Sequence, residues 1–169
     1  RHTNTIANNY YFIYNKKKNR LRKKRFYFLK IKKFLYKGVI YMKIVCEKEK
    51  LLKGINSVIR AVPTRTTMPI LEGILIQTNN NQLKLTSYDL ELGIEYTMEC
   101  NVIEEGNTVV NSIMFSEIIR KLPDTDINIE INENNLLVIE CEGSLYKLAT
   151  MNPDEFPELP KIVIENSIE

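Results

Sequence analysis

Few side chains in this 169-residue sequence are of the kind that carry out covalent chemistry. The only histidine is His2, so everything from Met42 onward lacks the commonest general base and metal ligand. No glycine-rich phosphate loop is present. Asp89 and Glu91 in SYDLELGIEY alternate, and on a strand they would project to one face, where a divalent cation could be held. Asp154 and Glu155 form a second acidic cluster. Two carboxylates with no third ligand at recognisable spacing are more often a solvated strand face, so neither a metal nor another cofactor is expected. Cys46, Cys100 and Cys141 are odd in number and lack C-x-x-C spacing. That argues against a disulfide framework or a zinc site and for reduced thiols in the cytoplasm. The residues point to binding, with no intrinsic catalysis.

Charge is the feature that suggests what is bound. Residues 1–41 contain 13 Lys and Arg and no acidic residue, whereas residues 42–169 contain 11 basic and 21 acidic residues, so a net charge of +3 hides a +13 stretch joined to a −10 body. Read alone, such asymmetry suggests an interaction protein whose basic arm, residues 16–37, binds nucleic acid or an anionic membrane. The composition of residues 1–41, nearly all Lys, Asn, Tyr, Phe, Ile, Leu and Arg, instead resembles translated AT-rich DNA upstream of a start codon. Met42 is therefore the expected native start, preceded by a low-complexity, disordered leader. A membrane span is not expected, because Lys30, Lys32, Lys33 and Lys37 interrupt the apolar run well short of ~20 residues.

The elements that must position the charged residues follow from periodicity. KIVCE (43–47) reads as a strand, and Leu51, Leu52, Ile55, Val58, Ile59 and Val62 then recur at helical spacing. Strands are expected at GILIQT (73–78), QLKLTS (82–87) and LELGIEYTMEC (90–100), with a turn at Asn79 to Asn81. NTVVN (107–111) opens a second round: a helix with Met114, Phe115, Ile118, Ile119 and Leu122 on one face, closed by Pro123. Strands DINIEIN (126–132), LLVIECE (136–142) and LYKLAT (145–150) complete it, with turns at Asn134-Asn135 and Gly143-Ser144. The chain thus reads as α+β: two β-α-β-β-β repeats, with two helices packed on antiparallel sheet.

On a helical wheel Lys50, Lys53, Ser57 and Arg60 fall opposite the Leu51, Ile55, Ile59 stripe. The windows 47–65 and 111–121 hold seven basic and three acidic residues, against four and eighteen in the rest of 42–169. A charged helix face is usually just solvated. This partition across an acidic domain favours instead a locally positive face for phosphate contact without base reading. Ile113 falls on the polar face of the second helix beside Ser116 and Arg120, so that helix is expected to contribute less.

From Met42 the segments MKIVCEKEKLLKGINSVIRAV, PTRTTMPILEGILIQT, LKLTSYDLELGIEY, NSIMFSEIIRKLPD and MNPDEFPELP, in this order, resemble the beta subunit family of bacterial DNA polymerase III, the DNA sliding clamps. The resemblance implies a clamp N-terminal domain over 42–160, with 161–169 opening a truncated second domain. It implies a ring in which two three-domain chains join head to tail as a homodimer, the helices line a hole for duplex DNA, and polymerase and clamp loader bind domains absent from this chain. It implies DNA contact by Arg65 in PTRTTMPIL, supported by Lys50, Lys53, Arg60 and Arg120. Ile113 stands where the family often carries a basic residue, so that contact does not carry over. The role implied is a non-catalytic, cytoplasmic processivity factor of a nucleotidyltransferase complex.

Overall fold

The structure, a computed structural model, describes residues 42–160. The expectations for residues 1–41 and 161–169 lie outside the described residues. In chain order the elements are β1 (Lys43–Glu47), α1 (Lys48–Val58), β2 (Gly73–Asn79), β3 (Gln82–Tyr88), β4 (Gly93–Glu99), β5 (Asn101–Glu104), β6 (Asn107–Asn111), α2 (Ser112–Lys121), β7 (Asp126–Ile131), β8 (Leu136–Cys141) and β9 (Ser144–Met151). Short 3₁₀ turns at Ile59–Ala61, Pro69–Glu72 and Pro153–Glu155 complete the set. Two β-α-β-β-β repeats are present as expected, β1 to β4 and β6 to β9, with β5 an extra strand between them.

Among the described residues nine strands run in the order β4-β3-β2-β6-β9-β8-β7-β1-β5, with every neighbouring pair antiparallel. The repeats exchange their first strands. β6 adds to β2 of the first repeat and β1 adds to β7 of the second, so neither repeat has a complete sheet without the other. The chain crosses between the two halves at the end of each repeat. β9 pairs with β8 through Ala149 and then with β6 at Thr150 and Met151. β4 pairs with β3, the chain passes Cys100, and β5 pairs with β1. The two ends of the strand order, β4 and β5, are therefore consecutive in the chain.

The exchange of first strands explains the shared core. Ile44 of β1, Ile76 of β2, Leu83 and Leu85 of β3, Ile129 of β7 and Ile139 of β8 bury their side chains in one cluster with Leu51, Ile55 and Val58 of α1 and Phe115 and Ile119 of α2. Each fully buried side chain of this size stabilises the fold by ~1.5–3 kcal/mol relative to leaving it exposed. A second, smaller cluster joins Ile70, Leu71, Tyr88, Val109 and Phe156, holding the segment after β9 against the sheet. Gly54 sits mid-helix, which costs ~1 kcal/mol relative to Ala. A Cβ there would lie 2.8 Å from Cδ1 of Tyr96, so the glycine is what lets α1 approach β4.

Three local expectations are corrected. The strand expected over 90–100 begins only at Gly93, because Leu90 adopts a left-handed φ of 80° and Asp89 organises a turn. Its Oδ1 accepts the backbone N–H groups of Glu91 (2.9 Å) and Leu92 (2.6 Å), which also holds the Asp89 carboxyl below its usual pKa. Asp89 and Glu91 are thus turn residues and not neighbours on one strand face. The β8–β9 turn is Glu142-Gly143, both left-handed at φ 44° and 80°, one residue earlier than expected. On α2, Met114 is 55% exposed while Ser112 and Ser116 are buried, so the inward stripe is rotated from the all-apolar one.

Candidate nucleic-acid interface

α1 and α2 pack against each other. The positioning of α1 is reinforced at its first residue: the Lys48 N–H donates to the Thr125 carbonyl (3.2 Å), and the Lys48 ammonium meets Asp124 at 2.7 Å. Both partners belong to the α2–β7 connection, so the start of one helix is fastened to the end of the other. α2 starts on its own cap, with Asn111 Oδ1 accepting the Met114 N–H at 3.1 Å.

Lys50, Lys53, Arg60, Arg65 and Arg120, the residues expected from the sequence, are all exposed. Lys53 and Arg60 are brought together along one shallow depression with Glu49, Leu52, Asn56 and Ser57. The Ser57 hydroxyl donates to the Lys53 carbonyl at 2.9 Å, one turn back. Lys50 departs from this grouping. Its ammonium bonds Glu47 at 2.8 Å, which raises its pKa, and it lines a separate cleft with Asn80, Asn81 and Asp126. Arg65 lies in the loop between the first two 3₁₀ turns, where Thr66 Oγ1 accepts the Met68 N–H at 3.0 Å. Arg120 is in the last turn of α2, its guanidinium 3.4 Å from Ser116 Oγ. Neither Arg65 nor Arg120 lines the Lys53–Arg60 depression.

The pairing of the basic residues is uneven. Among the described residues Lys43, Lys48, Lys50 and Lys84 form ion pairs with Glu130, Asp124, Glu47 and Glu95, whereas Lys53, Arg60, Arg65, Arg120, Lys121 and Lys147 form none. Of the unpaired six, all but Lys147 belong to the helices or to the loop that follows α1. Unpaired cations retain their full field for an external anion, whereas a lysine beside a carboxylate is largely neutralised. Sequence reading found these residues but could not distinguish Lys50, because its partner is set by rotamer and not by wheel angle. At the start of α2, Ile113 and Met114 are 63% and 55% exposed, which leaves an apolar surface where α1 carries charge.

The backbone of this domain is shared with solved proteins. It superposes on the crystal structure of the DNA polymerase sliding clamp of Bacillus subtilis with a TM-score of 0.72 at 30% identity, over 75% of this chain and 35% of that one. It superposes equally, at 0.72, on a provisionally named DNA polymerase III beta subunit from Eubacterium rectale, at 44% identity and the same coverage. The beta sliding clamp of Synechocystis is 31% identical over 129 residues, 72% of this chain and 33% of that protein. The chain thus spans about a third of the length of the curated relatives it matches. These matches give no support to a binding role carried by the basic arm. No helix among the described residues is long and apolar enough to cross a membrane. The family model for the N-terminal domain of the DNA polymerase III beta subunit matches residues 42–160, the whole of the fold described above, and the chain therefore belongs to that family.

Proposed function

We propose that this chain supplies the DNA-facing first domain of a sliding clamp, a non-catalytic ring subunit in the cytoplasm that encircles duplex DNA and tethers the replicative polymerase. The observation that carries this reading is the uneven pairing: Lys43, Lys48, Lys50 and Lys84 are paired with carboxylates, and five of the six unpaired cations lie on or beside the helices, Lys147 on β9 being the sixth. A positive strip on a negative body attracts phosphate only at short range, within about a Debye length of ~8 Å at physiological salt. Such contact is sequence-independent and weak, which suits a protein that must slide. Retention then comes from topology. A single domain cannot enclose DNA, so the reading requires further domains and a second copy joined head to tail. β4, β5, and β9 as far as Ala149, pair on one side only among the described residues, and open strand edges are suited to continuation into neighbouring domains. Polymerase and clamp loader would dock elsewhere in the ring.

Lys53, Arg60 and Arg65 are the proposed phosphate contacts, with Arg120 supporting and Lys50 contributing less because Glu47 neutralises it. The test is retention of the whole-length protein on closed circular DNA as salt is raised. Arg60→Ala and Arg65→Ala should each shorten retention similarly on unrelated sequences, leaving folding and ring assembly intact. Unchanged retention, or a loss confined to one DNA sequence, would overturn the assignment.

A further inference from the structure

The joint where the first repeat crosses between half-sheets holds two cysteines. β1 and β5 are in register with Ile44 opposite Val102 and Val45 opposite Asn101; continued one residue past the paired stretch, that register brings Cys46 toward Cys100, and both line one cleft. Side-chain alternation puts both thiols on the core face: Cys46 is buried in the main cluster and Cys100 packs against it from the rim. Directly opposed residues of an antiparallel pair have Cβ atoms ~4.5–5.5 Å apart, within a small adjustment of the ~3.5–4.5 Å that a disulfide takes. Cys100 is the residue best able to adjust, since it lies in the break between β4 and β5.

Both thiols also line an open cleft of about 670 Å³. Glu47, Glu99 and Asp126 stand around it, and its one lysine, Lys50, is already paired with Glu47. An acidic rim of this kind repels anionic oxidants such as glutathione disulfide and admits a small neutral one. Cys141 is not part of the pair: it is buried on β8 with its sulfur 3.2 Å from the Thr125 hydroxyl.

We propose that Cys46 and Cys100 form a reversible modification site, joined as a disulfide by a small uncharged hydroperoxide, which staples β1 to β5 across the joint. The more open Cys100 reacts first. Its sulfur attacks the peroxide, an S–O bond forms as the O–O bond breaks, and the leaving hydroxide departs as water with the thiol proton. The Cys46 sulfur then attacks the resulting sulfenic acid. The S–S bond forms, the S–O bond breaks, and the hydroxyl leaves as a second water with the Cys46 proton. Two thiols lose two electrons, and one hydrogen peroxide becomes two waters. A dithiol reductant restores both thiols. Cys46 and Cys100 bracket α1 and β2 to β4, so the staple constrains the unfolded chain over a long loop.

The test treats the reduced full chain with hydrogen peroxide, alkylates the remaining thiols, and maps peptides by mass before and after dithiothreitol. The expected result is a Cys46–Cys100 linked peptide, two mass units lighter than the two thiols, that disappears on reduction. The oxidised protein should melt on the order of ten degrees higher. Cys141→Ala should keep the link, and Cys100→Ser should lose both link and melting shift. Oxidation of Cys100 to sulfinic acid with Cys46 free, a Cys100–Cys100 dimer, or both thiols still alkylatable after prolonged exposure would each overturn the proposal. The Cys141→Ala protein gives this readout even if Cys100→Ser folds poorly.

Discussion

The two helices occupy equivalent places in the two repeats, yet they differ in what they expose. Aligning β1 with β6 sets Leu51 against Phe115, Ile55 against Ile119 and Val58 against Leu122, and all six are buried. On the outward side the same alignment sets Glu49 against Ile113, Lys50 against Met114 and Lys53 against Glu117, so the two lysines give way to an apolar and an acidic side chain and the glutamate to an apolar one. The buried face is held by the shared core, where a change of even one methylene is felt. The outer face has no such constraint and can diverge toward whatever each helix meets. α1 has become the more basic surface, while α2 keeps its cations, Arg120 and Lys121, in its last turn, where they also favour the helix dipole.

This contrast can be tested most strongly in the core. Leu51→Ala and Phe115→Ala should both be severe, ~2–5 kcal/mol for the leucine and ~3–5 for the phenylalanine, read from urea midpoints at unchanged slope. A mild Phe115→Ala would mean that the repeats diverge inside as well as outside. Next in size is Gly54→Ala. Better helix propensity would favour it, but the contact with Tyr96 should make it destabilising by ~1–3 kcal/mol, in contrast to Ile118→Ala at the equivalent site, which meets no such contact because it removes atoms.

On the outer face, Lys53→Ala in the whole-length protein should lower the slope of log affinity against log salt by ~0.9, and Ile113→Lys should raise it by a similar amount. No change on placing a lysine at 113 would show that the start of α2 does not face phosphate. At the helix starts, Asn111→Ala removes a side-chain cap and should cost ~1 kcal/mol. Glu47→Ala should cost clearly less, since Glu47 makes no capping bond to α1.

The smallest effect concerns the hairpin connections. The β3–β4 turn is held by the Asp89 carboxylate, which the Leu92 and Glu91 N–H groups keep below the usual carboxylate range, whereas the β8–β9 turn, Glu142-Gly143, relies on left-handed backbone. A depressed carboxylate stabilises the fold fully above its unfolded pKa and loses that contribution as pH falls through the lower folded value. Below about pH 4 the stability of the parent protein should therefore decline more steeply than that of Asp89→Ala. Parallel acid limbs in chemical denaturation would remove this role.

KIVCE and NTVVN matched β1 and β6 at both ends, because β-branched residues in short runs before an amphipathic stretch leave little ambiguity. LELGIEYTMEC was over-extended at its start: its alternation continues through the turn, and a left-handed leucine is too rare to anticipate. β5 went unseen because Asn101–Glu104 is short and largely exposed, and it is a strand only by virtue of β1, far away in the chain. Met114 was assigned inward by hydrophobicity, whereas Ser112 and Ser116 take that side.

The α+β class, the doubled β-α-β-β-β order, the basic helices on an acidic body and the family are all legible in the sequence, since they lie in local periodicity, composition and motif order. Only the tertiary structure shows that the repeats exchange their first strands and that the consecutive strands β4 and β5 stand at opposite ends of the strand order. The same holds for Lys50 pairing with Glu47 while Lys53 and Arg60 share one depression, and for Cys46 and Cys100 lining one cleft. Each depends on which residues meet across long separations in the chain, and a periodicity of 2 or 3.6 residues carries no information about that.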